Sequence, residues 1–171
     1  MAPATPKFIA DVMLGRLAKW LRLLGLDTAY DAHSSNVALL RRANAEGRIL
    51  LTRDRRLLAR PSLPPYLYIA ADDFRAQLRQ VLDSFGIDPW QRRLQRCSRC
   101  NALLERVDKA DIERWVPPYV WSTQALFSRC PVCGRVYWPA THVERIESEL
   151  RRLYSDDSQY KGQKAKRKRQ K

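Results

Sequence analysis

Four cysteines stand in two closely spaced pairs, Cys97-x-x-Cys100 and Cys130-x-x-Cys133, with 29 residues between the pairs. Each pair can donate two thiolates to one ion, and four thiolates complete a tetrahedral Zn²⁺. A closed set leaves no open coordination position, so the spacing points to a structural zinc and not a catalytic one. Redox dithiols or unligated core cysteines are the competing readings of such pairs. Pro131 and Gly134 suit a tight knuckle around the second pair.

A second chemistry is suggested by Asp11 and Asp54. Asp11 follows the short apolar run Phe8-Ile9-Ala10, and Asp54 follows the apolar segment Arg48 to Thr52, RILLT. Both runs read as buried strands, and acids at strand ends collect at the sheet edge where α/β folds bind ligands. Carboxylates converging there on Mg²⁺ or Mn²⁺ can activate water and stabilise charge during phosphodiester hydrolysis. The same positions also suit helix caps. Arg16, Lys19 and Arg22 recur three apart beside Asp11, and Arg53, Arg55 and Arg56 crowd Asp54. These cations can hold a nucleic-acid backbone, or they can form a solvated face and ion-pair clusters.

The elements that must position these groups follow from periodicity. Leu14, Leu17, Leu21 and Leu24 mark an amphipathic helix after Asp11, stopped by Gly25. Leu26 to Tyr30 reads as a second strand ending on Asp31, and Ser34, Ser35 and Asn36 offer N-caps for a helix to about Glu46, closed by Gly47. After the third strand and the Arg53-Asp54-Arg55 turn, prolines 61, 64 and 65 precede a fourth strand, Tyr66 to Ala70. Asp72 or Asp73 caps the next helix, whose Phe74, Leu78, Val81, Leu82 and Phe85 form one face before Gly86. Four alternations of strand and helix predict a parallel sheet covered on both faces, closing near Asp88 and Pro89.

A cysteine module follows from about residue 95, and Val143, Ile146, Leu150 and Leu153 predict a final helix to about 154. Trp115, Tyr119, Trp121, Tyr137 and Trp138 read as the small core of that module, with base stacking as the other use of such rings. His33 and His142 read as local hydrogen-bonding residues. From 155 onward apolar periodicity is lost, and the final segment KGQKAKRKRQK carries seven of the positive charges, as expected of a disordered tail.

The formal net charge of +14 over 171 residues calls for a polyanionic partner, since Lys and Arg on phosphates release condensed counterions. Nucleic acid fits this charge better than a membrane, because no run of about 18 apolar residues is present. The N-terminal stretch lacks the pattern of a signal peptide, so a reducing, cytoplasmic setting is expected for the thiols.

The segments FIADVMLGRLAKWLRLLGLD, EGRILLTRDRRLL, RCSRCNALL and CPVCGRVYWPATH, in this order, resemble the mut-seven C-terminal RNase family. The resemblance runs from about Lys7 to about Ile146. It implies a PIN-like three-layer α/β/α domain with a central parallel sheet over residues 7–90, then a zinc ribbon with a C-terminal helix over 95–154. It also implies metal-dependent ribonuclease activity on RNA. By position, Asp11 matches the acid after the first strand, and Thr52 with Asp54 matches a Thr-x-Asp after the third. Asn36 stands where the family usually has an acid; its carbonyl can ligate Mg²⁺, but it carries no charge and cannot act as a general base. Asp31, Asp72 or Asp73 can compensate or can be simple caps. Ala140 stands where glycine is more usual.

The expected function is therefore RNA hydrolysis with Mg²⁺ or Mn²⁺ on Asp11 and Asp54, with Asn36 and Asp31 at the margin of the site. Arg16, Lys19, Arg22 and Arg53 would lie on the RNA backbone, assisted by the ribbon. The alternative is a non-catalytic RNA-binding or ribosome-associated protein that keeps the shell with a weakened metal site. A DNA-binding zinc ribbon is more distant.

Overall fold

A computed structural model describes residues 5–91 and 93–155. The tail expected from sequence, apart from Ser155, lies outside the described residues, as do the side chains of Ala140 and His142. Strands β1 (Phe8–Ala10), β2 (Thr28–Tyr30), β3 (Ile49–Thr52) and β4 (Tyr66–Tyr68) form one sheet in the order β2-β1-β3-β4. Every pairing is parallel, with Phe8 opposite both Thr28 and Ile49 and Thr52 opposite Tyr68. Parallel neighbours require crossovers, and helices α1 (Gly15–Leu23), α2 (Asn36–Ala45) and α3 (Phe74–Ser84) occupy the intervals between strands or follow the last one.

Side chains alternate across the sheet and create two cores. Phe8, Ala10 and Leu51 pack with Leu17 and Leu21 of α1 and Leu78 and Val81 of α3. Ile9, Ala29 and Leu50 point the other way, against Leu39 and Ala43 of α2 and Leu57 of a short 3₁₀ turn, Leu57–Ala59. The result is the α/β architecture expected from the alternation, with a parallel four-stranded sheet flanked by helices. Ser35 is the cap that α2 uses, its side chain accepting from the Ala38 N–H, and Asp73 caps α3 by accepting from the Ala76 N–H.

The strands are shorter than the apolar runs that signal them. Leu26 is buried but its N–H turns back to the Leu21 carbonyl, so β2 starts only at Thr28. The run after Asp11 opens as a 3₁₀ turn, Val12–Leu14, before α1 proper.

The cysteine module is a three-stranded antiparallel sheet, β5 (Glu105–Val107), β6 (Phe127–Arg129) and β7 (Val136–Tyr137). Between β5 and β6 run a 3₁₀ segment, Lys109–Trp115, and a short helix, α4 (Pro118–Thr123). Ile112, Val116 and Phe127 form its core with Trp121 and Trp138 packed against them. Chain position alone groups the last helix, α5 (Pro139–Ser155), with this module. The helix packs Ile146, Leu150 and Leu153 into the core of α1 and α3, and Arg75 of α3 pairs with its Glu149 at 2.9 Å. The chain thus leaves the sheet domain, builds the ribbon and returns. No helix among the described residues is long and apolar enough to cross a membrane.

Candidate active site and metal centre

Asp11 joins the ends of the two central strands. Its N–H donates to the Leu51 carbonyl at 3.0 Å, and the residue is only 4% exposed. Its Oδ1 accepts from the Met13 N–H at 2.9 Å, while Oδ2 accepts from the Thr52 hydroxyl at 2.5 Å and from the Arg53 N–H at 2.9 Å. The Thr52 oxygen in turn accepts from the Asp54 N–H at 3.0 Å. The Thr-x-Asp pattern thus places one hydroxyl between the Asp11 carboxylate and the Asp54 backbone. Half-buried Asp54 folds its Oδ1 onto the Arg56 N–H at 2.9 Å, which opens the turn toward Leu57. A carboxylate offers about four lone-pair sites. Asp11 spends three on protein donors and keeps one on Oδ1, whereas Asp54 spends one and keeps its Oδ2.

The strand order brings the other suspected acid to the same edge. Asp31 follows β2, so Asp31, Asp11 and Asp54 lie beyond the carboxyl ends of three consecutive strands. Asp31 is exposed and its Oδ1 accepts from the His33 N–H at 2.9 Å. Asn36 is exposed at the first position of α2, with Ser35 doing the capping. Tyr30 and Gly15 are members of this edge that spacing alone did not indicate. The Tyr30 hydroxyl donates to the Val12 carbonyl at 3.1 Å, and a Cβ at position 15 would lie 2.6 Å from that hydroxyl oxygen. Glycine therefore lets the ring close over the turn that follows Asp11.

The four basic candidates part company. Arg16 is exposed with its guanidinium 4.3 Å from the Phe74 ring centroid, and Lys19 is exposed farther along α1. Arg53 is half-buried and its side chain is paired with Asp72, while its N–H holds Asp11. Arg22 does not belong to the basic surface, contrary to its helical spacing. It is 5% exposed, donating from Nε to the Thr28 carbonyl at 2.7 Å and from Nη1 to the Ser98 and Arg99 carbonyls at 3.3 and 2.7 Å. The cysteine module covers the end of α1, turning what would be a solvated face into an interface.

At that interface Asn101 donates to Asp27 at 2.8 Å and accepts from the Thr28 N–H at 3.0 Å. Arg48 and Arg96 also reach Asp27, at 2.5 and 3.5 Å. Burial pushes the Asp27 carboxyl up, but hydrogen bonds from Arg48 and Asn101 outweigh it and hold the group below the usual carboxylate range. An asparagine in the first knuckle where the second has Gly134 was the available sequence signal for this contact.

The sulfurs of Cys97, Cys100, Cys130 and Cys133 all lie within 4.8 Å of one another. Cys97 and Cys133 are 3.5 Å apart, and Cys100 and Cys130 are 3.3 Å apart. Tetrahedral zinc with bonds of about 2.3 Å separates its sulfurs by roughly 3.8 Å, so the donor set fits a metal such as zinc. All four cysteines are free of disulfides. The Tyr137 hydroxyl, 3.2 Å from Cys97 Sγ, joins its hydrogen-bonding group, together with Ser98. Burial pushes the Cys97 thiol up, but bonds from Tyr137 and the Cys100 and Arg99 N–H groups bring it down to about 6. Cys100, also pushed up by burial, is held protonated to about 12 by its neighbouring sulfurs. Cys97 is therefore the more readily ionised sulfur of the first knuckle, and a bound dication favours the thiolate form of its ligands. Among the described residues this is the one group of three or more His, Cys, Asp or Glu side chains gathered closely enough to hold an ion; the strand-end carboxylates are more widely spread.

In comparisons with known proteins, a family model described as the Mut7-C RNAse domain matches residues 6–150. No curated protein and no solved structure matches the chain.

Proposed function

The chain belongs to the Mut7-C RNAse domain family, and from that premise we propose that it is a metal-dependent ribonuclease with a PIN-like sheet domain. The observation that supports this most is the Thr52 hydroxyl shared between the Asp11 carboxylate and the Asp54 backbone, which fixes two acids at the carboxyl edge of adjacent strands. Mg²⁺ is commonly held by one or two carboxylates plus substrate phosphates, keeping several waters, so Asp11 Oδ1 and the Asp54 carboxylate suffice as protein ligands. When bound, Mg²⁺ or Mn²⁺ would supply an activated water and neutralise charge on the scissile phosphate. Asp11 acts from a fixed orientation, since three donors pin it, while Asp54 presents its freer oxygen. Arg16 and Lys19 bind the RNA backbone beside that edge, and the zinc-held ribbon adds RNA contacts. Cytoplasmic RNA is the proposed setting, with the ribosome or another ribonucleoprotein as the proposed partner.

A second reading draws on Asn36. With a neutral amide at the start of α2, and with most of Asp11's capacity used by the protein, the chain would bind RNA without cutting it. RNA cleavage assays with Mg²⁺ or Mn²⁺ separate the two. On the ribonuclease reading the wild type cuts, and Asp54→Asn and Asp11→Asn each slow cutting roughly a hundredfold or more. An inert wild type that gains activity as Asn36→Asp would establish the binding reading instead.

A further inference from the structure

Where α1, the first knuckle, β7 and α5 meet, the surface folds into a cleft of about 130 Å³. Three cations rim it, Lys19 from α1, Arg135 from the turn before β7 and Arg145 from α5, and no acid lines it. Trp20, Ser98 and Tyr137 contribute to the floor. All three cations are exposed, and among the described residues none has an ion-pair partner. Elsewhere on α5 the cations are neutralised, Arg151 by Glu147 and Arg152 by Glu149, and the same two acids pair with Arg93 and with Arg75 of α3. Three unpaired charges from three separate elements thus converge on one concavity that no acid lines.

We propose that this cleft is an RNA-backbone subsite that carries single-stranded RNA from the zinc ribbon to the Asp11 edge. The inference rests on RNA being the polymer on which the chain acts. Guanidinium forks recognise phosphate oxygens in bidentate fashion, and Lys19 adds a point charge. The cleft is too small for a duplex, while its Trp20 and Tyr137 floor suits a sugar. Arg16 lies three residues before Lys19, about 4.5 Å along the axis, and closer to the Asp11 end of α1. The strand would leave the cleft along this line toward the strand-end acids. Neither module forms the cleft alone, which gives the return of α5 to the first core a functional consequence.

The test is binding of labelled single-stranded RNA to the full zinc-loaded chain in buffer without Mg²⁺ or Mn²⁺, so that cleavage plays no part. A triple variant, Lys19→Gln with Arg135→Gln and Arg145→Gln, should flatten the slope of log K against log salt by about 2, since each phosphate contact contributes roughly 0.7 for single strands. A control with the same charge loss elsewhere, Lys7→Gln with Arg41→Gln and Arg60→Gln, should change it far less. Lys19→Arg with Arg135→Lys and Arg145→Lys should restore the slope, which guards against a folding defect. Equal slopes for the cleft and control triples would overturn the proposal. A wild type that binds through the cleft yet never cleaves would remove the ribonuclease reading and leave the subsite; a cleaving wild type with an unaltered cleft slope would do the reverse.

Discussion

The two knuckles share one backbone and have opposite surroundings. In the first, the Cys97 N–H donates to the Ala102 carbonyl at 2.8 Å and the Asn101 N–H to the Cys97 carbonyl at 3.0 Å. In the second, Cys130 donates to Arg135 at 2.9 Å and Gly134 to Cys130 at 3.0 Å. The residue after each second cysteine is left-handed, Asn101 with φ of 70° and Gly134 with φ of 72°. Glycine adopts that conformation freely, and asparagine is among the few other residues that tolerate it. Asn101 uses the conformation to aim its amide at Asp27 and Thr28, at the start of the outermost strand of the parallel sheet. Closing a metal site is thus written into the local spacing, whereas docking that site onto another module needs side chains from both sides, Arg22 and Asp27 on one and Asn101 on the other.

Removing the metal should erase this distinction, and it carries the largest effect. Structural zinc contributes about 10–16 kcal/mol in finger peptides, far more than a ribbon with so small a core can replace. Cys97→Ser and Cys130→Ser are each expected to reduce bound zinc from one per chain to none and to open the ribbon to proteolysis. Far-ultraviolet circular dichroism of the parallel sheet and its helices should persist in part. A Cys97→Ser protein that still held one tightly bound zinc would refute the four-thiolate site.

Arg22→Met should affect the docked knuckle alone. The substitution preserves the aliphatic packing but strips the donor from the buried carbonyls of Thr28 and Ser98 and the part-buried one of Arg99, at a cost of about 3 kcal/mol. It also removes a cation that stands near Cys97 and Cys100, where a zinc with four thiolates carries net negative charge. The expected outcome is a lower midpoint in chemical denaturation with zinc content unchanged. Loss of zinc as readily as in Cys97→Ser would mean that docking and metal closure are one event.

Arg22 also marks the limit of what a sequence reveals here. The alternation of apolar runs and amphipathic helices was enough for the parallel sheet, because each buried face leaves a period of two or near 3.6 in the chain. The cysteines were legible for a similar reason, since both ligands of a knuckle are local. The spacing places Arg22 among the surface cations, because helical periodicity reports which way a side chain points, not what comes to cover it. The covering knuckle lies some 76 residues later. Likewise, Asp11 and Asp54 were found as strand-end acids, but the hydroxyl that links them and the donors that occupy Asp11 depend on register between β1 and β3. The return of α5 to the first core was hidden too, because an apolar stripe does not name its partner.

The smallest effects separate Asn101 from Gly134. Asn101→Gly keeps the left-handed turn and converts the first knuckle into a chemical copy of the second, losing two hydrogen bonds while relieving the asparagine's conformational cost. A net loss of about 1 kcal/mol or less is expected, against about 2 kcal/mol for Asn101→Ala, which loses the bonds and is strained as well. The acid side of the same contact is testable by pH. Asp27 is held below its unfolded value, so its contribution is complete above about pH 4 and disappears as pH falls through the lower folded value. Acid also strips zinc from thiolates, which is why the informative quantity is the stability of wild type minus that of Asp27→Asn. That difference should be constant from pH 7 to about 5 and shrink below about 4. In the Asn101→Gly background it should be smaller throughout, because Arg48 and Arg96 would then hold Asp27 without the amide that ties it to the knuckle.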